Sequence, residues 1–104
     1  MHEVLYKHPD DESNYTVDFT EDLTGDTSIS SGSVVTAVDS GGTDRTSAIV
    51  GLVAQSGMVL SAPLKGGTNG EDYFVTFTGR GTTTARDQTR MVELRVRIQG
   101  LGNV

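Results

Sequence analysis

The feature that most constrains this chain is an alternation in three separate segments, where an apolar residue recurs at every second position. Side chains on a β-strand point alternately to opposite faces, so this alternation predicts strands with one buried and one solvated face. An amphipathic helix would space its apolar residues differently, and no segment shows a sustained helical pattern. The apolar members are Tyr15, Val17 and Phe19, then Tyr73, Val75 and Phe77, and finally Val92, Leu94, Val96 and Ile98.

Weaker strand patterns fill the middle of the chain. Residues 27–38 predict one strand or two, with a bulge near Ser31 and Gly32, and residues 48–54 and 58–64 predict two more. Residues 55–57, which end in Gly57, predict a tight hairpin between those two strands. Further turns are predicted at residues 39–42, 66–70 and 79–81, all of which contain glycine.

The number and spacing of these elements predict the fold class. About seven strands, separated by turns every 8–12 residues or so, are typical of an all-β, immunoglobulin-like antiparallel β-sandwich. We expect almost no helix, and a core filled by the apolar faces of the strands. Its predicted members are Val17, Phe19, Tyr73, Val75, Phe77, Leu94 and Val96.

Tyr73 opens a predicted strand directly after a glycine-rich turn. A tyrosine at that place in an immunoglobulin-like sandwich can form a tyrosine corner, in which its hydroxyl bonds back to the backbone. The alternative is that Tyr73 is simply a core aromatic residue. The chain has no Cys and no Trp, so it lacks the disulfide and the core tryptophan of antibody domains.

The first nine residues differ in composition from the rest of the chain. Val4, Leu5 and Tyr6 are apolar, and they precede Pro9 and an acidic run at residues 10–12. We predict that residues 1–9 form an N-terminal arm or an edge strand, and that residues 10–104 form a single domain. As an arm, the segment would dock on a neighbouring subunit. As an edge strand, it would pair with the domain's own sheet.

Charge and hydropathy exclude several classes of protein. The 8 basic and 14 acidic residues give a net charge of −6, which argues against binding nucleic acid, because phosphate contacts depend on Lys and Arg. The chain shows no signal-peptide pattern and no apolar stretch approaching the roughly 20 residues of a membrane span. We therefore expect a soluble protein that is made in the cytoplasm and does not contact a membrane.

Residues capable of catalysis or metal binding are scarce. The two histidines, His2 and His8, both lie in the first eight residues, and no base is placed to activate a serine nucleophile. A metal site would need further ligands with defined spacing. The sequence therefore predicts no catalytic residues, no metal site and no cofactor.

Most of the arginines lie in the last quarter of the chain. Arg95 and Arg97 share a predicted strand face with Glu93, which gives a cationic patch on an otherwise acidic domain. This patch could meet an acidic surface on a neighbouring subunit. Equally, it could be a charged strand that resists edge-to-edge aggregation. Together with Val4, Leu5 and Tyr6, the two arginines form the candidate partner interface.

Several motifs occur together in a defined order. Residues 7–10 (Lys-His-Pro-Asp) precede the alternating strand that ends at Phe19, and Leu23 and Asp26 come after it. Residues 64–76 contain a Gly-Gly-Thr turn, Tyr73 and a Val-Thr pair, and residues 90–97 form a last strand rich in Val and Arg. This combination resembles the small immunoglobulin-like proteins of tailed bacteriophages, which are decoration proteins or fibre–tail adaptor proteins. Phe19 stands where that family usually has Trp, His8 replaces an Asp, and residues 43–57 form a longer region than is typical.

The resemblance implies a non-enzymatic structural role in a phage virion. Such a protein docks onto capsid, neck, tail or fibre proteins, is a homo-oligomer in the assembly, and is made in the host cytoplasm. The alternative is a free-standing carbohydrate- or protein-binding sandwich of the adhesin type. Sugar platforms need exposed aromatic residues, and of the six aromatics only Tyr6 and Phe74 lie off the predicted inward faces.

Overall fold

The computed structural model describes residues 3–30, 33–84 and 86–97. Within them the chain forms seven strands and one helix of four residues, in agreement with the prediction of about seven strands and almost no helix. The elements are β1 (Glu3–Lys7), β2 (Ser13–Asp18), β3 (Val34–Asp39), α1 (Thr46–Ile49), β4 (Ala54–Ser56), β5 (Val59–Leu64), β6 (Asp72–Arg80) and β7 (Asp87–Val96).

The strands form two sheets, which confirms the predicted sandwich. One sheet has the order β1-β7-β6-β3 and the other β2-β5-β4. In immunoglobulin nomenclature the second sheet corresponds to strands B, E and D, and the strands β7, β6 and β3 correspond to G, F and C. The first strand, β1, lies beside β7 rather than beside β2.

The pairing of β1 with β7 is parallel, whereas every other strand pair is antiparallel. Glu3 lies opposite Val92, and Lys7 lies opposite Val96. The structure therefore places residues 3–7 as an edge strand on the domain's own sheet, the second of the two alternatives for this segment. Met1 and His2 lie outside the described residues.

All seven predicted core residues are buried, and they belong to one continuous cluster between the sheets. The rings of Tyr15 and Phe77 pack against each other from opposite sheets, with centroids 5.5 Å apart. The core also contains residues that the alternation does not predict, among them Leu23, Ile29, Ile49 and Leu60. Ile98, which is predicted to share the inward face of β7, lies outside the described residues.

Two predictions for individual elements are wrong, one for residues 48–54 and one for residues 79–81. Residues 48–54 do not form one strand, because the chain makes the single helical turn α1 and reaches β4 only at Ala54. The Asp44 carboxylate accepts hydrogen bonds from the backbone N–H and the hydroxyl of Thr46, at 3.0 and 2.7 Å, which favours the turn. Ile49 and Val50 are consecutive and both buried, whereas successive side chains of a strand point to opposite faces.

Residues 79–81 are not the predicted turn, because β6 runs through to Arg80. Gly79 is needed there for packing: a Cβ atom at this position would lie 2.7 Å from Cδ2 of Phe19. The chain reverses instead at residues 82–84, where the Asp26 carboxylate accepts hydrogen bonds from the N–H groups of Thr83 and Thr84, at 2.8 and 3.0 Å.

The remaining predictions for the middle region have mixed outcomes. The hairpin is confirmed: Ser56 pairs with Val59, and Gly57 takes the positive φ of +59° that the tight turn requires. Among the described residues of 27–38, only those from Val34 onward form a strand, which is β3 (Val34–Asp39), and Ile29 makes an isolated bridge to Gly81. The bulge predicted at Ser31 and Gly32 falls outside the described residues.

Candidate interaction surface

The outer surface of the four-stranded sheet carries most of the predicted interface residues. Because side chains alternate along a strand, burial of Val92 and Leu94 turns the intervening positions of β7 outward. The same alternation turns alternate side chains of β1 outward. We call the resulting surface the outer β1–β7 face, and it consists of Val4, Tyr6, Met91, Glu93 and Arg95.

The centre of this surface is a contact between Tyr6 and Arg95, which are paired in the register of β1 and β7. The Nη1 atom of Arg95 donates a hydrogen bond to the Tyr6 hydroxyl at 2.9 Å, and its guanidinium carbon lies 5.7 Å from the centre of the Tyr6 ring. Its Nε atom donates to the Glu93 carboxylate at 2.8 Å. These contacts hold the guanidinium in one position on the surface of the sheet.

The same contacts favour the protonated, positively charged form of Arg95. The hydrogen bond to Glu93, and then that to Tyr6, raise the pKa of Arg95 above its ordinary value. Glu93 is itself only 9% exposed, so Arg95 supplies the opposite charge that a nearly buried carboxylate requires. Arg95 thus combines a fixed positive charge with an aromatic neighbour that is 56% exposed.

Other exposed apolar side chains lie on the same side of the four-stranded sheet. Met91 is 47% exposed on β7, Val34 is 48% exposed at the far edge of the sheet, and Val4 lies on β1. Phe74, the second aromatic predicted to lie off the inward faces, is half-buried opposite Glu93. Sequence reasoning did not select Met91 or Val34, although each lies next to a buried valine and therefore on the outward side of its strand.

Two residues of the predicted interface have other contacts. Leu5 is partly buried and packs against the core, because β1 turns it inward between Val4 and Tyr6. Arg97 follows the end of β7, and its Nη2 atom forms an ion pair with Asp72 at 2.8 Å. Its Nη1 atom donates to the carbonyl oxygens of Val96 and Glu71. Arg97 therefore ties β7 to the start of β6.

Tyr73 lies on the buried side of β6, and its hydroxyl accepts a hydrogen bond from the backbone N–H of Thr68 at 3.0 Å. The bond reaches back five residues in the chain, across the turn that contains Gly67 and Gly70 with positive φ angles. It fixes this turn to the first residues of β6. On this contact we propose that Tyr73 forms a tyrosine corner.

The Lys-His-Pro-Asp motif has a structural explanation. Lys7 is almost completely buried, and its ammonium group donates hydrogen bonds to the carbonyl oxygens of His8 and Asp11, at 2.8 and 2.7 Å. A longer contact of 3.4 Å reaches the carbonyl of Pro9. Burial lowers the pKa of Lys7, while Asp11 and Asp10 act in the opposite direction. Lys7 thus holds the connection between β1 and β2.

Other kinds of site find no support in the part of the chain that the structure describes. Nowhere within it do three or more His, Asp or Glu side chains come together as metal ligands. His8 accepts a hydrogen bond at Nδ1 from the N–H of Asp10, at 3.0 Å, inside the turn that Lys7 holds. No helix among the described residues has the length and apolar character needed to cross a bilayer.

The comparisons with known proteins agree with the motifs and the fold. A search of curated protein sequences finds no match. The sequence profile of one family matches residues 7–97, and that family is described as podophage GP4 fiber-tail adaptor protein gp77. The match begins at the buried lysine that holds the β1–β2 connection and ends at the arginine that follows β7. It covers well over half of the chain, and the chain therefore belongs to the podophage GP4 fiber-tail adaptor protein gp77 family.

Proposed function

We propose that this adaptor binds a neighbouring tail or fibre protein of a phage virion through the outer β1–β7 face. The observation that carries the proposal is the Tyr6–Arg95 pair, held on an exposed sheet surface among apolar side chains. Tyr, Met and Arg are the residue types enriched at protein interfaces, and Tyr and Arg are those that contribute most binding energy. The role is structural and involves no catalysis.

Several copies of the chain act together in this proposal. The protein is made in the host cytoplasm and is incorporated as a homo-oligomer at the junction of tail and fibres. An interface residue in one copy is then repeated in every copy. Small losses of affinity per copy therefore add up to a large loss of incorporation.

The proposal is tested by truncating exposed side chains in the phage itself. The double variant Tyr6→Ala, Met91→Ala removes two exposed apolar side chains from the outer β1–β7 face. We expect it to melt within a few degrees of the wild type, because surface truncations typically change stability by less than about 0.5 kcal/mol. Its number of copies per virion, measured by quantitative mass spectrometry, should fall sharply, and images of the particles should show missing fibres.

Leu52→Ala is the matched control. Leu52 is 87% exposed and lies in the loop before β4, outside the four-stranded sheet. This variant should be incorporated like the wild type. Normal incorporation of the Tyr6→Ala, Met91→Ala protein would contradict the proposal, and loss of incorporation in Leu52→Ala alone would place the contact elsewhere.

A further inference from the structure

The three-stranded sheet has a long open edge along β2. Its edge strand β2 pairs with β5, and no described strand lies on its other side. The N–H of Phe19 donates to the carbonyl of Met58 at 2.9 Å, which continues the register in which Asp18 faces Val59. Hydrogen-bonded pairs alternate along an antiparallel ladder, so the odd-numbered residues of β2 bond to β5.

The even-numbered residues of β2 face the other way. Asn14, Thr16 and Asp18 therefore direct their backbone N–H and C=O groups away from β5. We call this row of groups the β2 edge. Such a row is a template for a further strand, and proteins usually cover, shorten or interrupt it.

The other edges are shorter or covered. Along β3, the N–H of Arg45 donates to the carbonyl of Ala37 at 2.8 Å, and the N–H of Asp39 donates to the carbonyl of Thr43 at 3.0 Å, so the chain folds back over that edge. The strand β4 has only three residues. The N–H of Arg97 donates to the carbonyl of Lys7, so the odd-numbered residues of β1 bond to β7. Only Val4 and Tyr6 of β1 direct their backbone N–H and C=O groups away from the sheet.

A crevice runs between the β2 edge and the neighbouring edge of the other sheet. The accessible apolar residues of its lining are Leu5, Tyr15 and Met91, whereas Val17 and Val92 are almost fully buried, and Glu3 and Asp18 also border it. A strand added to β2 would alternate its side chains between this crevice and solvent. The crevice thus selects a strand with apolar residues at every second position.

The charges around the crevice define the partner further. Arg90 also lines it, but its Nη2 atom is paired with Asp22 at 2.7 Å. Hydrogen bonds from Thr20 lower the pKa of Asp18, which keeps that carboxylate negative. The border of the crevice is therefore acidic, and complementarity favours a partner strand with Lys or Arg.

We propose that the β2 edge accepts an extended, basic segment of a partner virion protein, which adds a fourth strand to the three-stranded sheet. Main-chain hydrogen bonds to Asn14, Thr16 and Asp18 supply affinity, and the apolar side chains within the crevice supply specificity. The inference rests on the proposed adaptor function. It adds a second contact, at the β2 edge, whose crevice borders the outer β1–β7 face at Met91.

Hydrogen exchange on the isolated protein and on intact virions tests this directly. In virions the amides of Asn14, Thr16 and Asp18 should exchange at least about tenfold more slowly than in the isolated protein, because a partner strand binds them. Equal exchange in the two states would overturn the inference. Absence of the protein from purified virions would instead refute the proposed function, and with it this inference.

Two other occupants give different results, and either would also overturn the proposal. A second copy of the chain would slow exchange in the isolated protein as its concentration rises. The chain's own residues 98–104 would slow exchange at every concentration, and deleting them would release the amides.

The variant Thr16→Pro blocks the edge and leaves the sheet paired. Its missing N–H is one that β5 does not use, and proline is tolerated on a strand edge at such a position. We expect about a tenfold or greater loss of copies per virion, since proline removes a donor and obstructs the adjoining strand. The matched variant Thr16→Ala keeps the N–H and should be incorporated normally. Equal incorporation of the two variants would refute the proposal, and if Thr16→Pro fails to fold, hydrogen exchange still decides.

Discussion

The ring of Phe19 lies directly against the backbone of Gly79, so that a Cβ atom on Gly79 would stand 2.7 Å from Cδ2 of the ring. Phe19 is fully buried and cannot move aside. A strand normally disfavours glycine because it lacks a side chain to pack. Here the absence of that side chain makes room for one of the largest members of the core.

Gly79→Ala should therefore destabilise the protein by about 1–3 kcal/mol, the usual cost of overpacking a core. Phe19→Ala should cost about 3–5 kcal/mol, because it leaves a cavity. In the double variant the ring is gone, so the added methyl group should cost almost nothing. Urea unfolding of the four proteins measures this, and additive losses would show that the two residues do not compete for the same space.

Tyr73→Phe removes the hydroxyl that accepts the Thr68 N–H. We expect a loss of about 1 kcal/mol, the typical net value of one hydrogen bond. Tyr15→Phe is the control, because the Tyr15 hydroxyl contacts Glu3 at an exposed position. The control should lose less stability in the same unfolding experiment. Equal losses would argue against a tyrosine corner at Tyr73.

Four aspartates predict how stability changes in acid. Hydrogen bonds lower the pKa of each below 3.8. The donors are the side chain and backbone of one threonine in three cases: Thr20 for Asp18, Thr84 for Asp26 and Thr46 for Asp44. For Asp39 the donors are the backbone of Thr43 and the side chain of Arg45. A group with a depressed folded pKa stabilises the fold above its unfolded pKa. This contribution is lost as pH falls through the folded pKa.

The free energy of unfolding should thus receive a constant contribution from these groups above about pH 5 and decline below roughly pH 4. Asp39→Asn removes one of them and should make the decline shallower. Urea unfolding at several pH values measures the slope. An unchanged slope in Asp39→Asn would mean that its carboxylate is equally easy to protonate in the folded and unfolded chains.

Removing residues 1–8 distinguishes an edge strand from a separate arm. The deletion takes away Leu5, which packs on the core, and Lys7, which holds the turn at residues 8–11. We expect a loss of more than about 2 kcal/mol, because the partial burial of Leu5, the Lys7 contacts and the hydrogen bonds of β1 to β7 are lost together. Val4→Ala and Tyr6→Ala, which keep the backbone, should each cost less than about 1 kcal/mol. A deletion variant that melts like the full chain would favour the arm.

Alternation predicted which residues face the core, because the period of a strand depends only on neighbours in sequence. It did not predict Ile49, which the turn at Asp44 brings inward. Gly79 looked like a turn signal because a glycine required for packing and a glycine required for a turn are identical in sequence.

The candidate site was harder to predict than the core. Val4, Tyr6 and Arg95 could be chosen by composition, but the contact between Tyr6 and Arg95 spans 89 residues. The contact exists because β1 pairs with β7, and nothing in the sequence of β1 indicates which strand it will pair with. The open β2 edge follows from the same pairing, since β1 is absent from that side of the sandwich.

The parallel pairing of β1 with β7 also determines how the domain bears tension. Glu3 lies level with Val92, and Lys7 lies level with Val96, so opposite pulls on Glu3 and Arg97 slide the two strands along each other. All the hydrogen bonds between them are then loaded together in shear, whereas an antiparallel hairpin pulled at its open end unzips one bond at a time. The β1–β7 pair therefore resists such opposite pulls with all of its hydrogen bonds at once.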